Sequence, residues 1–459
     1  MRRLLTPGAA VVLLAGCAVP STPPPESAAV VAPEAWRSDL AGTAPLDTEW
    51  WRGFGGPTLD ALVARALEHN PDVATAVARV REARAQERQA RAALLPTLDA
   101  SLSENDARSV SAFGLPTESA SGQPVVQAAY EVDLFGRISD QVSAAREAAL
   151  SSLAARDTVK LSVAAATASG YLTLCGLRSR LRVAQDTLRV REWALRLSRD
   201  RGRVGYISAL EVRQAEVEYQ SAALIPPQVL LAIGRQENAL RLLTGDVPGA
   251  VHSGEIEAIA PPPLPQAGLP SELLRRRPDI AQAERTLAAS DATLSVARKQ
   301  FLPSVRLSAS AGAVFNSALP DPITIWSVGG SILAPLFHGG ELRAGVESAA
   351  ARRDQAAFAY QKATLTAFRE VEDALAAITQ LARQREVQEA QRANLQQTVR
   401  QAGDRYEAGY ASVLERIDAE RALLTAELNL VQLRTDELTA RVTLYQALGG
   451  GWREEQAAR

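Results

Sequence analysis

Histidine and cysteine are the residues best suited to hold a metal or attack a bond, and this chain has three of the first and two of the second. His69, His252 and His338 lie far apart, and no Cys/His or His/carboxylate spacing of a metal site surrounds any of them, which leaves them surface or capping roles. There is no GxSxG, no GxGxxG after a strand and no phosphate loop, and Gly449-Gly450-Gly451-Trp452 reads as a helix stop. Carboxylates are numerous, yet on long helices they are usually solvated or paired with Arg at i+4, so no general acid/base pair stands out. The sequence predicts neither an enzyme nor a bound cofactor or metal. One charged group has a spacing to follow: Leu414, Asp418 and Arg421 fall at i, i+4 and i+7 on one helix face, with Glu415 adjacent. An ordinary salt-bridged helix surface is the other reading of that pattern.

That face follows a glycine-centred break, Asp404-Arg405-Tyr406-Glu407-Ala408-Gly409-Tyr410-Ala411-Ser412-Val413-Leu414-Glu415, and the break has a twin. About 204 positions earlier, Asp200-Arg201-Gly202-Arg203-Val204-Gly205-Tyr206-Ile207-Ser208-Ala209-Leu210-Glu211 matches it in Asp, Arg, Gly, Tyr, Ser, Leu and Glu. Pro71-Asp72-Val73-Ala74 through Leu95-Pro96 likewise answers Pro278-Asp279-Ile280-Ala281 through Leu302-Pro303. The chain therefore reads as two copies of one repeat, over residues 50–260 and 261–459. Gly205 and Gly409 supply the backbone freedom that tight turns need. The first turn keeps Glu211 but has Gln214 where the second has Asp418, so the carboxylate pair belongs to one repeat.

Aromatic residues make up 5% of the chain while Ala, Leu, Arg, Glu and Gln dominate, a composition of long helices packed through small side chains. No proline falls between Pro124 and Pro226 or after Pro335, so each repeat has room for a very long helix. Arg137 to about Arg201 would run close to 100 Å at about 1.5 Å per residue. Sparse apolar positions in the second repeat, among them Phe358, Leu365, Phe368, Val371, Leu375 and Ile378, give a narrow seam suited to side-by-side helix packing. Pro226-Pro227 should break the returning helix of the first repeat, and the second repeat has no equivalent.

Between the helices the period changes to two. Leu98, Ala100 and Leu102 alternate with Asp99 and Ser101, predicting a strand over about 97–104, and similar alternation predicts strands over about 125–135, 304–315 and 323–336. An apolar face opposite one carrying Asp99, Asp133 and Arg306 suits a membrane barrel, and a half-buried soluble sheet is the other reading. Four strands cannot close alone, but three chains pool about twelve. The fold expected is mainly α with a β-barrel portion. No helix-length apolar run follows the leader described next, and a net charge of −2 gives no field for nucleic acid.

That leader is Arg2-Arg3, an apolar run from Ala9 to Leu14, and Leu14-Ala15-Gly16-Cys17, which is similar to an export signal with the lipobox of bacterial lipoproteins. Residues 1–16 are then a signal peptide, Cys17 the acylated N-terminus, and residues 17–49, rich in Pro, Ser and Ala, an extended tether. Ala18 is not the aspartate that often retains such lipoproteins at the inner membrane, so the outer membrane is the expected address. Cys175 reads as a small buried hydrophobe.

Taken together, Trp50-Trp51 with Phe54 and Pro57-Thr58-Leu59, Asp133-Leu134-Phe135-Gly136-Arg137, Leu269-Pro270-Ser271-Glu272-Leu273-Leu274-Arg275-Arg276-Arg277-Pro278-Asp279-Ile280, and the closing Leu444-Tyr445-Gln446-Ala447-Leu448-Gly449-Gly450-Gly451-Trp452 resemble the outer-membrane efflux protein family. That family, above all its lipoprotein members, forms the exit ducts of tripartite pumps of the RND type. The resemblance covers nearly the whole chain after Cys17. It implies a homotrimer sharing a twelve-stranded outer-membrane barrel, a helical tunnel through the periplasm and a closed periplasmic tip, with a periplasmic adaptor and an inner-membrane pump as partners. It also implies that Leu414, Glu415, Asp418 and Arg421 gate the tip, and that the turns at Gly205 and Gly409, with Tyr406, dock the adaptor. Ala411 stands where some members carry an arginine that ties the closed state.

Two other classes bear on the same residues. A lipid-anchored periplasmic coiled-coil scaffold without a pore accounts for the helices but not for the two hairpins. A periplasmic hydrolase would need a clustered catalytic site, which the sequence lacks. Drugs, metal ions and a secreted protein all fit a wide wet tunnel as cargo.

Overall fold

Prolines and glycines set the element boundaries in the computed structural model, which describes residue 23 and residues 25–38, 42–317 and 320–453. Cys17 and its lipobox lie outside those residues. Helix α1 (Pro57–His69) starts on a proline at its first turn and stops before Pro71, where α2 (Pro71–Ala92) opens. The side chain of Asn70 caps α2, accepting from the Asp72 and Val73 amides at 2.8 and 3.2 Å. Strands β1 (Thr97–Val110) and β2 (Pro116–Val132) follow, then α3 (Arg137–Arg203), α4 (Ala209–Ala223) and α5 (Ile225–Leu243). The second repeat runs α6 (Pro270–Arg276), α7 (Pro278–Lys299), β3 (Ser304–Asn316), β4 (Ile323–Leu333), α8 (Glu341–Glu407) and α9 (Val413–Ala447). Helices α3 and α8 are each 67 residues, about 100 Å at 1.5 Å per residue. The expected break at Pro226-Pro227 separates α4 from α5, whereas α9 runs 35 residues without one.

The chain divides into two compact units. The first holds Arg79–Leu153 and Gln282–Lys362 with the described part of Met1–Ala29. Its centre is a four-stranded antiparallel sheet in the order β1-β2-β3-β4. Both strands of the first hairpin are longer than the sequence pattern predicts. The stretch rich in Ser, Gly and Pro, expected as a loop, is mostly ladder: β1 pairs with β2 without a break from Thr97↔Ala129 to Val110↔Pro116. Pro124 is tolerated because β2 and β3 lose their pairing there, between Gly122↔Phe315 and Val125↔Gly312, while Gly312 lets the Pro124 carbonyl approach closely. Beside the sheet, Lys299 on α7 pairs with Asp140 on α3 at 2.6 Å, and Arg285 with Glu147 at 3.2 Å.

The second unit holds the described parts of Val30–Ala78 and Ala363–Arg459, with Ala154–Ala281. Its core gathers Trp50, Trp51 and Phe54 around Tyr445, whose ring stacks on Trp50 at 5.3 Å and whose hydroxyl donates to the Pro263 carbonyl at 3.1 Å. Arg277, 7% exposed, joins three segments: it donates to Asp279 at 2.7 Å on its own turn, to Glu370 of α8 at 2.7 Å and to the Ala447 carbonyl of α9 at 3.0 Å. The described part of the segment expected as an extended tether is irregular apart from a single helical turn at Glu26–Ala28, and it is pinned: Trp36 packs edge-on against Phe368 and donates to the Gly268 carbonyl at 2.8 Å. Of the predicted seam, Phe368, Val371, Leu375 and Ile378 are buried, while Leu365 is 54% exposed in the single chain. Cys175 is fully buried, as read from the sequence, and burial pushes its thiol up to about 11.

Small residues set helix spacing here. A methyl group on Gly176 of α3 would lie 2.2 Å from the Thr435 hydroxyl of α9, and that hydroxyl is itself committed to the Val431 carbonyl at 2.9 Å. Gly176→Ala is therefore expected to cost about 1–3 kcal/mol through overpacking. Adding Thr435→Ala should restore much of it, which thermal melts of the single and double variants in detergent will show. Equal melting of wild type and Gly176→Ala would mean that the two helices separate freely.

Candidate functional site

The twin turns share one backbone solution. In the first, Gly205 has φ +79° and the Tyr206 amide donates to the Arg201 carbonyl at 2.9 Å; in the second, Gly409 has φ +77° and Tyr410 donates to Arg405 at 2.8 Å. Each is a helix C-terminus closed by a left-handed glycine with a six-to-one bond, so a branched residue at either site is strained although space around it is open. Their side chains diverge. Ser208 and Glu211 form a complete capping box on α4, whereas Ser412 makes no side-chain cap on α9 and Glu415 faces Arg405 at 3.6 Å. Tyr406 is half-buried and lines a cavity of about 50 Å³ with Trp193, Leu197, Val413 and Ile417.

Leu414, Glu415, Asp418 and Arg421 follow the second turn on α9, as their spacing requires. Leu414 is 50% exposed, and the Asp418 and Arg421 side chains are 63% and 56% exposed. Arg421 reaches Asp418 only at 3.7 Å. Its chief partner is Glu218 of α4, which it contacts through two nitrogens, Nε at 2.9 Å. That hydrogen bond and the Glu218 charge raise the Arg421 pKa further, so the guanidinium stays charged.

Glu218 belongs to a network the motif reading missed. Its side chain and that of Arg191 on α3 are both 7% exposed and 3.6 Å apart. Arg191 also donates to Glu420 of α9, which pairs with Arg416 at 2.8 Å. Three helices are thus tied by alternating charges within about one helical turn of the candidate gate. A signal was present: Glu218 stands between Ala215 and Ala222 at i+3 and i+7, a carboxylate on the small-residue seam that needs a counter-charge once buried.

The sheet supplies a second candidate surface. Leu98, Val126, Leu307, Trp326, Val328 and Ile332 point to one side, while Asp99, Gln127, Glu131, Arg306, Ser310 and Ser327 point to the other. On the polar side Arg306 approaches Glu131 at 3.6 Å, and Arg137 pairs with the same carboxylate at 2.6 Å. Among the described residues no helix is long and apolar enough to cross a membrane, and no group of three or more His, Cys, Asp or Glu could hold a metal. His69, His252 and His338 are not brought together.

A two-faced antiparallel sheet joined to very long, narrow-seamed helices defines a channel-forming outer-membrane protein. Known proteins agree with that class. The model of the outer membrane efflux protein family matches residues 62–246 and 269–450. The pyoverdine export outer membrane protein OpmQ of Pseudomonas aeruginosa is 36% identical over 467 residues, covering 97% of this chain and 96% of its own length. The probable efflux pump outer membrane protein TtgC of Pseudomonas putida is 33% identical over 476 residues, covering 99% and 96%. A crystal structure of a membrane protein from Pseudomonas aeruginosa superposes with a TM-score of 0.82 at 32% identity, covering 92% of this chain and 100% of that one. The open state of the MtrE outer membrane channel of Neisseria gonorrhoeae gives 0.83 at 29% identity, covering 96% and 99%. This chain belongs to the outer membrane efflux protein family, a family of channels rather than of enzymes, and is an outer-membrane efflux channel protein.

The charge network makes a graded prediction. Glu218→Ala takes one of two carboxylates from the buried Arg191, which keeps Glu420, and the chief partner from Arg421, and should cost about 1–3 kcal/mol. Asp418→Ala removes an exposed, long ion pair and should cost about 0–1 kcal/mol. Denaturation in detergent ranks them, and equal losses would show that Glu218 does not tie the helices.

Proposed function

We propose that three copies of this chain close one barrel in the outer membrane and form the exit duct of a tripartite efflux system, fed by a periplasmic adaptor and an inner-membrane pump. The observation that carries this is the sheet's two free edges. β1 and β4 each pair on one side only, and in hydrocarbon an unpaired ladder edge costs several kcal/mol per group. Four strands are too few to close, and three sets make twelve. The apolar face then meets lipid and the polar face lines water. Exposed Leu365, on a face predicted to be a packing seam, is consistent with burial against a second copy.

On this reading, residues 1–16 are removed as a signal peptide, Cys17 carries the covalent lipid, and residues 17–49 lead to two repeats spanning 50–260 and 261–459. The turns at Gly205 and Gly409, with Tyr406, receive the adaptor, and conduction is passive. The names of relatives mention pyoverdine, toluene and antibiotics, which is cargo of those systems; here the pump chooses the cargo. Native mass measurement in detergent tests the assembly: a trimer is expected, with a lipid mass that disappears in Cys17→Ser. A monomer, or unchanged acylation in that variant, would overturn the corresponding half.

Leu414, Glu415, Asp418 and Arg421 gate the tip. Three copies of Leu414 meeting near an axis form an apolar plug, and the carboxylates beside it need counter-charge, which Arg421 supplies while Glu218 holds it. In planar bilayers the Asp418→Ala/Arg421→Ala trimer is expected to conduct more than wild type while the trimer persists. Wild-type conductance from that variant would show that these residues do not shut the tunnel.

A further inference from the structure

Of the charged side chains on the polar face of the sheet, one has no partner. Glu131 is neutralised twice, by Arg137 at 2.6 Å and by Arg306 at 3.6 Å. Asp99 on β1 is different. It is exposed, and no described residue lies within hydrogen-bond or ion-pair range of its carboxylate. Its rung across the sheet is Asp99↔Gln127, Gln127↔Ser310 and Ser310↔Ser327, the two serine hydroxyls 2.8 Å apart. That rung offers amides and hydroxyls and no cation.

The strand that must complete the other side of β1 is β4 of a neighbouring copy, if the proposed trimer holds, and the inference rests on that reading. β4 is Ile-Thr-Ile-Trp-Ser-Val-Gly-Gly-Ser-Ile-Leu, without a single ionisable side chain. Whatever register the two copies adopt, the incoming strand therefore brings no counter-charge to Asp99. Twelve strands about 4.8 Å apart and tilted by about 40° enclose a barrel about 24 Å across between backbones. Three Asp99 carboxylates at one level of that lumen lie near enough for their fields to overlap, the screening length being about 10 Å at 0.1 M salt.

We propose that Asp99 sets the charge preference at its own level of the barrel lumen, the end joined to the helices: a ring of three uncompensated carboxylates that attracts cationic cargo entering the barrel and holds back anions. This is a preference separate from the periplasmic tip, which the carboxylates on α9 would govern. Neutral amphiphiles pass it without penalty, whereas polyanions meet it as they enter the barrel.

The test reads the lumen from outside the cell, so the state of the tip does not matter. Gln127→Cys places a thiol directly across the ladder from Asp99. Cationic and anionic methanethiosulfonates of equal size are applied to intact cells, and labelling of the parent chain, whose Cys175 is fully buried, is subtracted. With Asp99 present the cationic reagent should react faster and the anionic one slower than with a free thiol, by about threefold each from one charge about 6 Å away in water. Asp99→Asn should bring both rates to the free-thiol ratio, and Asp99→Lys should reverse it. All differences should shrink in 1 M salt, where screening falls to about 3 Å. If Leu98→Cys labels as readily as Gln127→Cys, or neither labels, the barrel reading fails. If Gln127→Cys labels with a rate ratio that Asp99→Asn leaves unchanged, the barrel stands and the role of Asp99 falls.

Discussion

A peptide group in hydrocarbon has no water to bond, so every backbone donor and acceptor in the membrane must be paired within protein. The rest of this molecule is arranged around meeting that demand with four strands. A single sheet β1-β2-β3-β4 satisfies its interior and leaves two edges. Each repeat contributes one hairpin to that sheet, and on the proposed assembly its two edges are paired by neighbouring copies. Alternation along the strands then follows from solvent: apolar Leu98, Val126, Leu307 and Val328 on one side, Asp99, Gln127, Ser310 and Ser327 on the other.

The helices face a different solvent and use different means. With few large side chains, a helix of 67 residues gains little from a thick core, and approach is set by small residues such as Gly176 against Thr435. Specific position comes from charges placed on those thin seams. Arg277 joins α7, α8 and α9, and the Arg191, Glu218 and Glu420 group joins α3, α4 and α9. Each guanidinium spreads several donors over partners from different helices, which a lysine ammonium could not do with the same geometry. Buried charges of this kind are poor sources of net stability but strong selectors of one arrangement.

The two repeats share one turn backbone, and the side chains around it have diverged. The backbone at Gly205 and Gly409 is the same to within a few degrees. In the first turn Glu211 is used up by the capping box, and the helix beyond it is cut at Leu224 by Pro226-Pro227. In the second, Glu415 is released to face Arg405, and α9 runs unbroken with Asp418 and Arg421 on one side.

Much of this was written in the sequence because it is local. Period-two alternation located the four strands, proline-free stretches the long helices, and glycine the twin turns. All of these depend on neighbours within a few positions. Local signals failed where pairing across distance decides. The hairpin grew past its predicted ends because Ser111–Leu115 closes a ladder whose outer residues carry no apolar pattern, and Pro124 sits in it only because Gly312, far along the chain, gives way. Spacing puts Arg421 three residues after Asp418, but folding brings Glu218 closer from 203 positions away, and a buried carboxylate outcompetes an exposed one because water screens it less. Sequence alone determined which faces would be polar, apolar or charged; tertiary structure decided which charges meet, since that depends on how the helices pack and not on spacing along any one of them.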